Sequence, residues 1–195
     1  MMRKGAFTFV LHSHLPYCRR AGQWPHGEEW LHEAASESYL PLLKALCSLR
    51  EGGSPFKLTL GLTPVLVEQL ADPLVCQHFE TFMEDKLHRA AADEQRFQKA
   101  GESQRASLAQ FYFRWYEDLL RDFRETFHGD LIGSFRRLQE EGFLQVVTSA
   151  ATHAYLPLLE RDSSIYAQLS VGSQSYRRHF GQDPQAAWLP ECGYR

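Results

Sequence analysis

The chain has 195 residues, of which 44% are hydrophobic and 23% charged, with a formal net charge of −3. This length is enough for a domain with a real core, since about 150 residues already bury roughly 70% of their unfolded surface, and the composition excludes a disordered chain. No apolar run is long enough to span a membrane, and the lysines and arginines are scattered rather than gathered into a stripe for nucleic acid, which leaves a neutral, polyhydroxylated ligand as the better fit.

Met1-Met2-Arg3-Lys4-Gly5 leads into a short alternating segment without an apolar stretch and small-residue cleavage site, so no signal peptide is expected. Ala6-Phe7-Thr8-Phe9-Val10-Leu11 is rich in aromatic and branched residues and stops at His12-Ser13-His14, which predicts a first strand. After a loop through Pro16 to about Gly27, the apolar positions Leu31, Ala34, Ala35, Leu42, Leu43 and Leu46 predict a helix over about 29–50, kinked at Pro41 and ended by Gly52-Gly53. Phe56-Lys57-Leu58-Thr59-Leu60 reads as a second strand, followed by a helix with Thr63 at its N-cap and Pro64 at its first position.

Between about Asp72 and His128 no strand signal occurs, and the region is expected to be a helical insertion. Its clearest feature is the stripe Leu108, Phe111, Tyr112, Trp115, Tyr116, Leu119, Leu120, Phe123 and Phe127, spaced by threes and fours and expected to be packing surface. A helix from about Asp130 to Glu141 then delivers a third strand, Phe143–Thr148. Ser163-Ser164 is expected to cap a helix to about Phe180, and Ala186-Ala187-Trp188-Leu189 is a fourth short strand halted at Pro190-Glu191. Strands alternating with helices predict an α/β fold, either a parallel barrel or a doubly wound sheet, with a helical insertion after the second strand.

Three of the four strands end in groups able to do chemistry: His12 and His14 after the first, His153 after the third, and Glu191 after the fourth. In α/β barrels the active site gathers at the C-terminal strand ends, so these residues are expected to converge on one mouth. Any one of them alone is more simply a hydrogen-bonding or helix-capping residue. His12 and His14, two apart on an extended segment, point the same way. With His153 and Glu191 they offer a metal site for a hydrolase; the opposing reading is that the histidines hydrogen-bond sugar hydroxyls and orient the carboxylate.

The residues Trp188-Leu189-Pro190-Glu191-Cys192-Gly193-Tyr194 resemble the nucleophile motif of the family 57 glycoside hydrolases, and within them most closely that of the α-glucan branching enzymes. The likeness extends to Phe9–Tyr17, to Gly27-Glu28-Glu29-Trp30-Leu31 with Glu33-Ala34, to Gly61–Leu66, and to Thr148–His153 followed by Tyr155–Leu159. It implies the N-terminal part of a (β/α)7 barrel in which Glu191 is the nucleophile of a retaining reaction. In that reaction a covalent glycosyl-enzyme forms, and a second carboxyl group about 5–5.5 Å away donates and then removes a proton. By the same matching, His12 and His153 contact the sugar at the cleavage point, His14 supports the loop, Trp30 forms an aromatic wall, and Trp24 is a weaker candidate.

The resemblance implies an α-glucan such as glycogen or amylose as the partner, and no cofactor or metal. It places the acid/base, an aspartate, on a later strand, so the chain is expected to be part of a longer enzyme and inactive alone. Glu28 and Glu29 match a helix-entry motif and are expected to cap or position that helix. The alternatives are an α-amylase or 4-α-glucanotransferase of the same family, a metal-dependent hydrolase using His12, His14 and His153, and a non-catalytic glucan-binding fragment. Cys18, Cys47, Cys76 and Cys192 lack the close spacings of zinc or redox motifs, so reduced thiols and a cytoplasmic setting are expected.

Overall fold

The fold was analysed in a computed structural model that describes residue 5, residues 7–22 and residues 26–194; Ala6 of the first predicted strand and Trp24 lie outside the described residues. Three parallel strands, β1 (Val10–Ser13), β2 (Leu58–Leu62) and β3 (Leu144–Val147), stand side by side in chain order. They are parallel because each connection carries helices long enough to cross back over the sheet. The register sets His12 opposite Gly61, and Gly61 opposite Val147.

β1 lies further along the chain than the alternation of aromatic residues predicts. Its pairing opens where Thr59 N–H donates to Phe9 C=O at 3.2 Å, and it runs through the polar cluster, so that His12 is part of the sheet itself. The fourth predicted strand shrinks to one parallel bridge between Thr148 and Ala187. Pro184 and Pro190 bracket Ala186–Leu189, and prolines have no N–H for a ladder. The bridge rests on Thr148 N–H to Ala186 C=O at 3.3 Å and Trp188 N–H to Thr148 C=O at 2.8 Å. The fold class is the expected α/β one, with parallel strands and helical segments between them.

The chain divides into two compact units. One comprises Met1–Tyr17, Leu46–Ala71 and Ile132–Arg195, as far as these residues are described, and the other Cys18–Ala45 and Asp72–Leu131. In the first unit α3 (Pro64–Leu70), α6 (Leu131–Glu140) and α7 (Asp162–Phe180) accompany the strands. Its core is apolar, with Leu60, Leu62, Leu66, Phe135, Leu138 and Val146 almost wholly buried. α7 begins at Asp162 after Arg161, which makes no side-chain cap. The predicted caps Ser163 and Ser164 therefore sit inside the first turn. At its far end Gly181 takes the left-handed conformation at φ 71°, as expected for a glycine closing a helix.

In the second unit α1 (Glu28–Ala34) passes into a π-helical turn over Ala35–Tyr39 and then into α2 (Leu40–Glu51), which runs on into the first unit. The π turn is closed by Leu40 N–H donating five residues back to Ala35 C=O, and Pro41, which has no N–H for the carbonyl four residues back, follows it directly. Glu28 and Glu29 stand in the first turn of α1, at the helix entry where they are expected, but the N-cap position is Gly27 and no side chain caps the helix. The Glu28 carboxylate is buried and lies 2.5 Å from His78 Nδ1, while Glu29 faces Lys86 at 3.5 Å.

α4 (Pro73–Lys99) is capped by Asp72, whose carboxylate accepts from Leu74 N–H at 2.9 Å, and it turns back into α5 (Ser103–Arg121). The aromatic stripe of α5 packs along only part of its length. Leu119, Leu120, Phe123 and Phe127 are buried, whereas Leu108, Phe111 and Tyr112 are about half exposed. At that end of the hairpin the buried positions are the small residues Ala90, Ala106 and Ala109. An alanine seam brings the backbones close and leaves the large neighbours on the outer face. Among the described residues no helix is long and apolar enough to cross a membrane.

Candidate active site

The ends of β1 and β3 and the Ala187 bridge bring four aromatic rings into one run within the first unit. The ring centroids of His12 and Trp188 are 5.3 Å apart, those of His12 and His153 are 5.1 Å apart, and those of His14 and His153 are 3.9 Å apart. All three pairs lie within 26° of parallel. The convergence expected of His12, His14, His153 and Glu191 is therefore present in the geometry. β2 allows it from below, because a Cβ at residue 61 would stand 3.2 Å from His12 Nδ1, so glycine gives the imidazole room.

Glu191 is delivered by a tight turn over Pro190–Cys192, closed by Cys192 N–H to Leu189 C=O at 2.9 Å and Gly193 N–H to Pro190 C=O at 3.0 Å. Within it Glu191 has φ 52° and ψ 27°, and Cys192 has φ 55°. Two successive non-glycine residues in the left-handed region store strain of order 1–3 kcal/mol each, of the kind that clusters at active sites. The turn holds the Glu191 side chain 74% exposed with its Oε1 3.7 Å from the buried His153 Nε2. His153 is itself on a left-handed turn, at φ 56°, closed by its N–H to Ala150 C=O at 3.0 Å.

Burial pushes the His153 imidazole down to about 4, with His14 and His12 adding to the effect, so the ring is neutral at pH 7. His12 and His14 are also lowered, chiefly by burial, and for His14 further by His12. In both the carboxylate of Glu191 pulls the other way. The site therefore holds neutral imidazoles beside one carboxylate.

Two hydroxyls that sequence reasoning missed complete the arrangement. Thr63 occupies the N-cap position of α3 with an extended backbone but makes no capping bond; its Oγ1 lies 3.2 Å from His14 Nδ1 instead. Ser149, after β3, donates to the Trp188 carbonyl at 2.7 Å and lies 3.2 Å from His153 Nδ1. Both residues are buried. Both lie in stretches of family likeness, Gly61–Leu66 and Thr148–His153, but nothing local in the sequence marks either hydroxyl as the partner of a histidine.

Trp30 belongs to the second unit, on α1, where it is 45% exposed and meets the His26 ring edge-on at 6.2 Å. It is thus not a core residue of its helix. As for a metal, the histidines meet face to face, and among the described residues no group of three His, Cys, Asp or Glu side chains is arranged to hold an ion.

The profile of glycosyl hydrolase family 57 matches residues 8–195. The 1,4-alpha-glucan branching enzyme TK1436 of Thermococcus kodakarensis is 45% identical over 192 residues, covering 98% of this chain and 28% of that protein. Its crystal structure, in complex with glucose and additives, superposes with a TM-score of 0.87 at 46% identity over 99% of this chain and 34% of that one. The GH57-type branching enzyme of Pyrococcus horikoshii gives a TM-score of 0.94 at 47% identity over 99% of this chain and 36% of the other. The alpha-amylase AmyC of Thermotoga maritima gives 0.87 at 34% identity over 96% and 35%. The chain thus spans about a third of the length of these relatives. With a match that runs from the start of the first strand through the Glu191 turn, the chain belongs to glycosyl hydrolase family 57.

Proposed function

We propose that this chain carries the nucleophile side of a retaining α-glucan transglycosylase, a 1,4-α-glucan branching activity. The observation that carries the reading is the presentation of Glu191: a strained, outward-facing carboxylate beside a neutral, buried imidazole, at the end of a run of aromatic rings. Two relatives that cover nearly all of this chain are branching enzymes.

In the proposed reaction a Glu191 oxygen attacks the anomeric carbon of an α-1,4-linked glucosyl unit. The bond to the departing O4 breaks, and that oxygen takes a proton from a second carboxyl group, assigned by the family resemblance to an aspartate on a later strand. The 6-hydroxyl of a second glucan then attacks the ester, returns its proton to the same group and releases Glu191. His12 and His153 contact the sugar at the cleavage point, His14 holds the loop with Thr63, and by the family resemblance Trp30 supplies the aromatic wall. Glycogen and amylose are the proposed substrates and the cytoplasm the proposed compartment, where the four cysteines, three of them held protonated by burial, remain reduced.

The test has two parts. An α-maltosyl fluoride carries a leaving group that needs no protonation, so incubation with the chain is expected to label the peptide containing Glu191, and Glu191→Gln to abolish the label. A folded chain that never acquires it overturns the assignment of the nucleophile. The whole protein with amylose is expected to make α-1,6 links released by a debranching enzyme. Short linear maltooligosaccharides as the sole product would instead favour the hydrolytic alternative, for which the likeness to AmyC speaks.

A further inference from the structure

Ser149 touches no position that a ligand would occupy, yet it decides what His153 can do there. Its side chain is buried and forms two contacts, one to the Trp188 carbonyl at 2.7 Å and one to His153 Nδ1 at 3.2 Å. A serine hydroxyl has one proton and a carbonyl oxygen only accepts. The shorter contact has the length of an O–H···O bond, so the serine proton goes to Trp188. What remains on Oγ toward His153 is a lone pair, and Nδ1 must supply the hydrogen. A neutral imidazole that donates through Nδ1 keeps a bare lone pair on Nε2. That nitrogen is buried and has no hydrogen-bond partner among the described residues. It faces Glu191 Oε1 at 3.7 Å, too far for a hydrogen bond and with an acceptor at each end.

We propose that Ser149 is a positioning residue that commits His153 to the Nδ1–H tautomer. Its Nε2 then takes a hydrogen bond from a hydroxyl of the ligand beside the nucleophile. The proposal rests on the reading of Glu191 as nucleophile and sharpens it. The spot next to the carboxylate takes a donor, such as an alcohol of a sugar ring, and rejects ligands that bring only a carbonyl or an anion. The low proton affinity of His153 agrees with this, because a charged ring would donate from Nε2 to Glu191 instead. The same hydroxyl ties two strand ends together, since Ser149 follows the Thr148 bridge and Trp188 precedes the Glu191 turn. One serine thereby sets both the orientation of the ring and the place of the turn.

The decisive measurement is the tautomer of His153 in the unaltered chain labelled with ¹⁵N-histidine, read from two-bond ¹H–¹⁵N correlations at pH 7 and assigned by the signal lost in His153→Gln. The expected pattern is a protonated Nδ1 and an unprotonated Nε2. A protonated Nε2 overturns the proposal whatever the variants do. In Ser149→Ala the His153 signals are expected to move toward the Nε2–H form, and in Ser149→Thr, which keeps the hydroxyl, to stay, with the signals of His179, which lies 3.2 Å from Glu68 in the same unit, reporting that this unit is folded. An unchanged tautomer in a folded Ser149→Ala also overturns it. Addition of maltotriose is expected to shift His153 Nε2 upfield as it accepts a bond, and Ser149→Ala to lose that shift. If the tautomer is as expected but the maltosyl fluoride never labels Glu191, the nucleophile reading fails while the tautomer assignment stands.

Discussion

A Cβ on residue 172 would stand 2.3 Å from the carbonyl oxygen of Ser149, so Gly172 lets α7 press against the chain just after β3. The obstructing atom belongs to the backbone and no side-chain rotation relieves it. Gly172→Ala gains about 0.8–1 kcal/mol in helix propensity but overpacks the contact by about 1–3 kcal/mol or more. The net expectation is a loss of about 1–2 kcal/mol in denaturant unfolding, with the His153 tautomer disturbed through Ser149. Gly61→Ala, which would crowd His12 Nδ1 at 3.2 Å, is expected to be milder in stability and to act on the His12 ring. A Gly172→Ala chain as stable as the parent would contradict this packing.

Stability is expected to fall with acid over a defined window. His32 and His153 are both pushed from 6.5 down to about 4, first of all by burial. Between those values the unfolded chain binds protons that the folded chain refuses, so the stabilisation is complete above about pH 6.5 and is lost as the pH falls toward 4. Unfolding midpoints measured from pH 7.5 to 4.5 should decline most steeply below pH 6.5. His32→Phe should flatten the decline, and a profile level down to pH 4.5 would rule the assignment out.

The left-handed backbone at Glu191 sets function against stability. Asparagine tolerates φ near 50° far better than glutamate does. Glu191→Asn is therefore expected to raise the unfolding free energy by up to about 1 kcal/mol, while ending any covalent labelling. A lower melting temperature for Glu191→Asn would show that the turn is not strained.

Thr63 separates capping from site support. An ordinary Thr→Ala change at an N-cap removes about 1 kcal/mol through the helix end. Here the hydroxyl faces His14 Nδ1, so Thr63→Val is expected to leave amide exchange in the first turn of α3 unchanged. It should still remove about 1 kcal/mol through the lost hydrogen bond, and Thr63→Ser should restore it. Fraying of α3 in Thr63→Val would assign the hydroxyl to the cap after all.

The strand ends were legible because apolar runs, prolines and glycines punctuate the chain in a regular way. Once an α/β order was recognised, His12, His14, His153 and Glu191 had to gather. What stayed hidden were side-chain partners far apart in the chain. Ser149 reaches Trp188 across 39 positions and Thr63 reaches His14 across 49, and a local reading sees only a polar residue at a strand end or helix start. Glu28 was legible as a helix-entry acid, but its partner His78, 50 residues on, was not. The half-exposed aromatics of α5 escaped because periodicity marks an apolar face but not which face a neighbouring helix chooses, and the alanine seam decided that. Ahead of Pro41, where a kink was the simpler expectation, the helix passes through a π turn instead.

Both compact units are stitched from separated pieces of sequence, with Cys18–Ala45 interposed before β2 and Asp72–Leu131 before β3. During synthesis from the N-terminus, the first two strands emerge early but wait for β3 and the segments that follow it. The helical unit, by contrast, has all its parts once Leu131 has left the ribosome. Its formation also closes the long loop between β2 and β3, which lowers the entropic barrier to pairing those strands. The order of assembly on the ribosome is therefore expected to be the helical unit first and the pairing of β2 with β3 second.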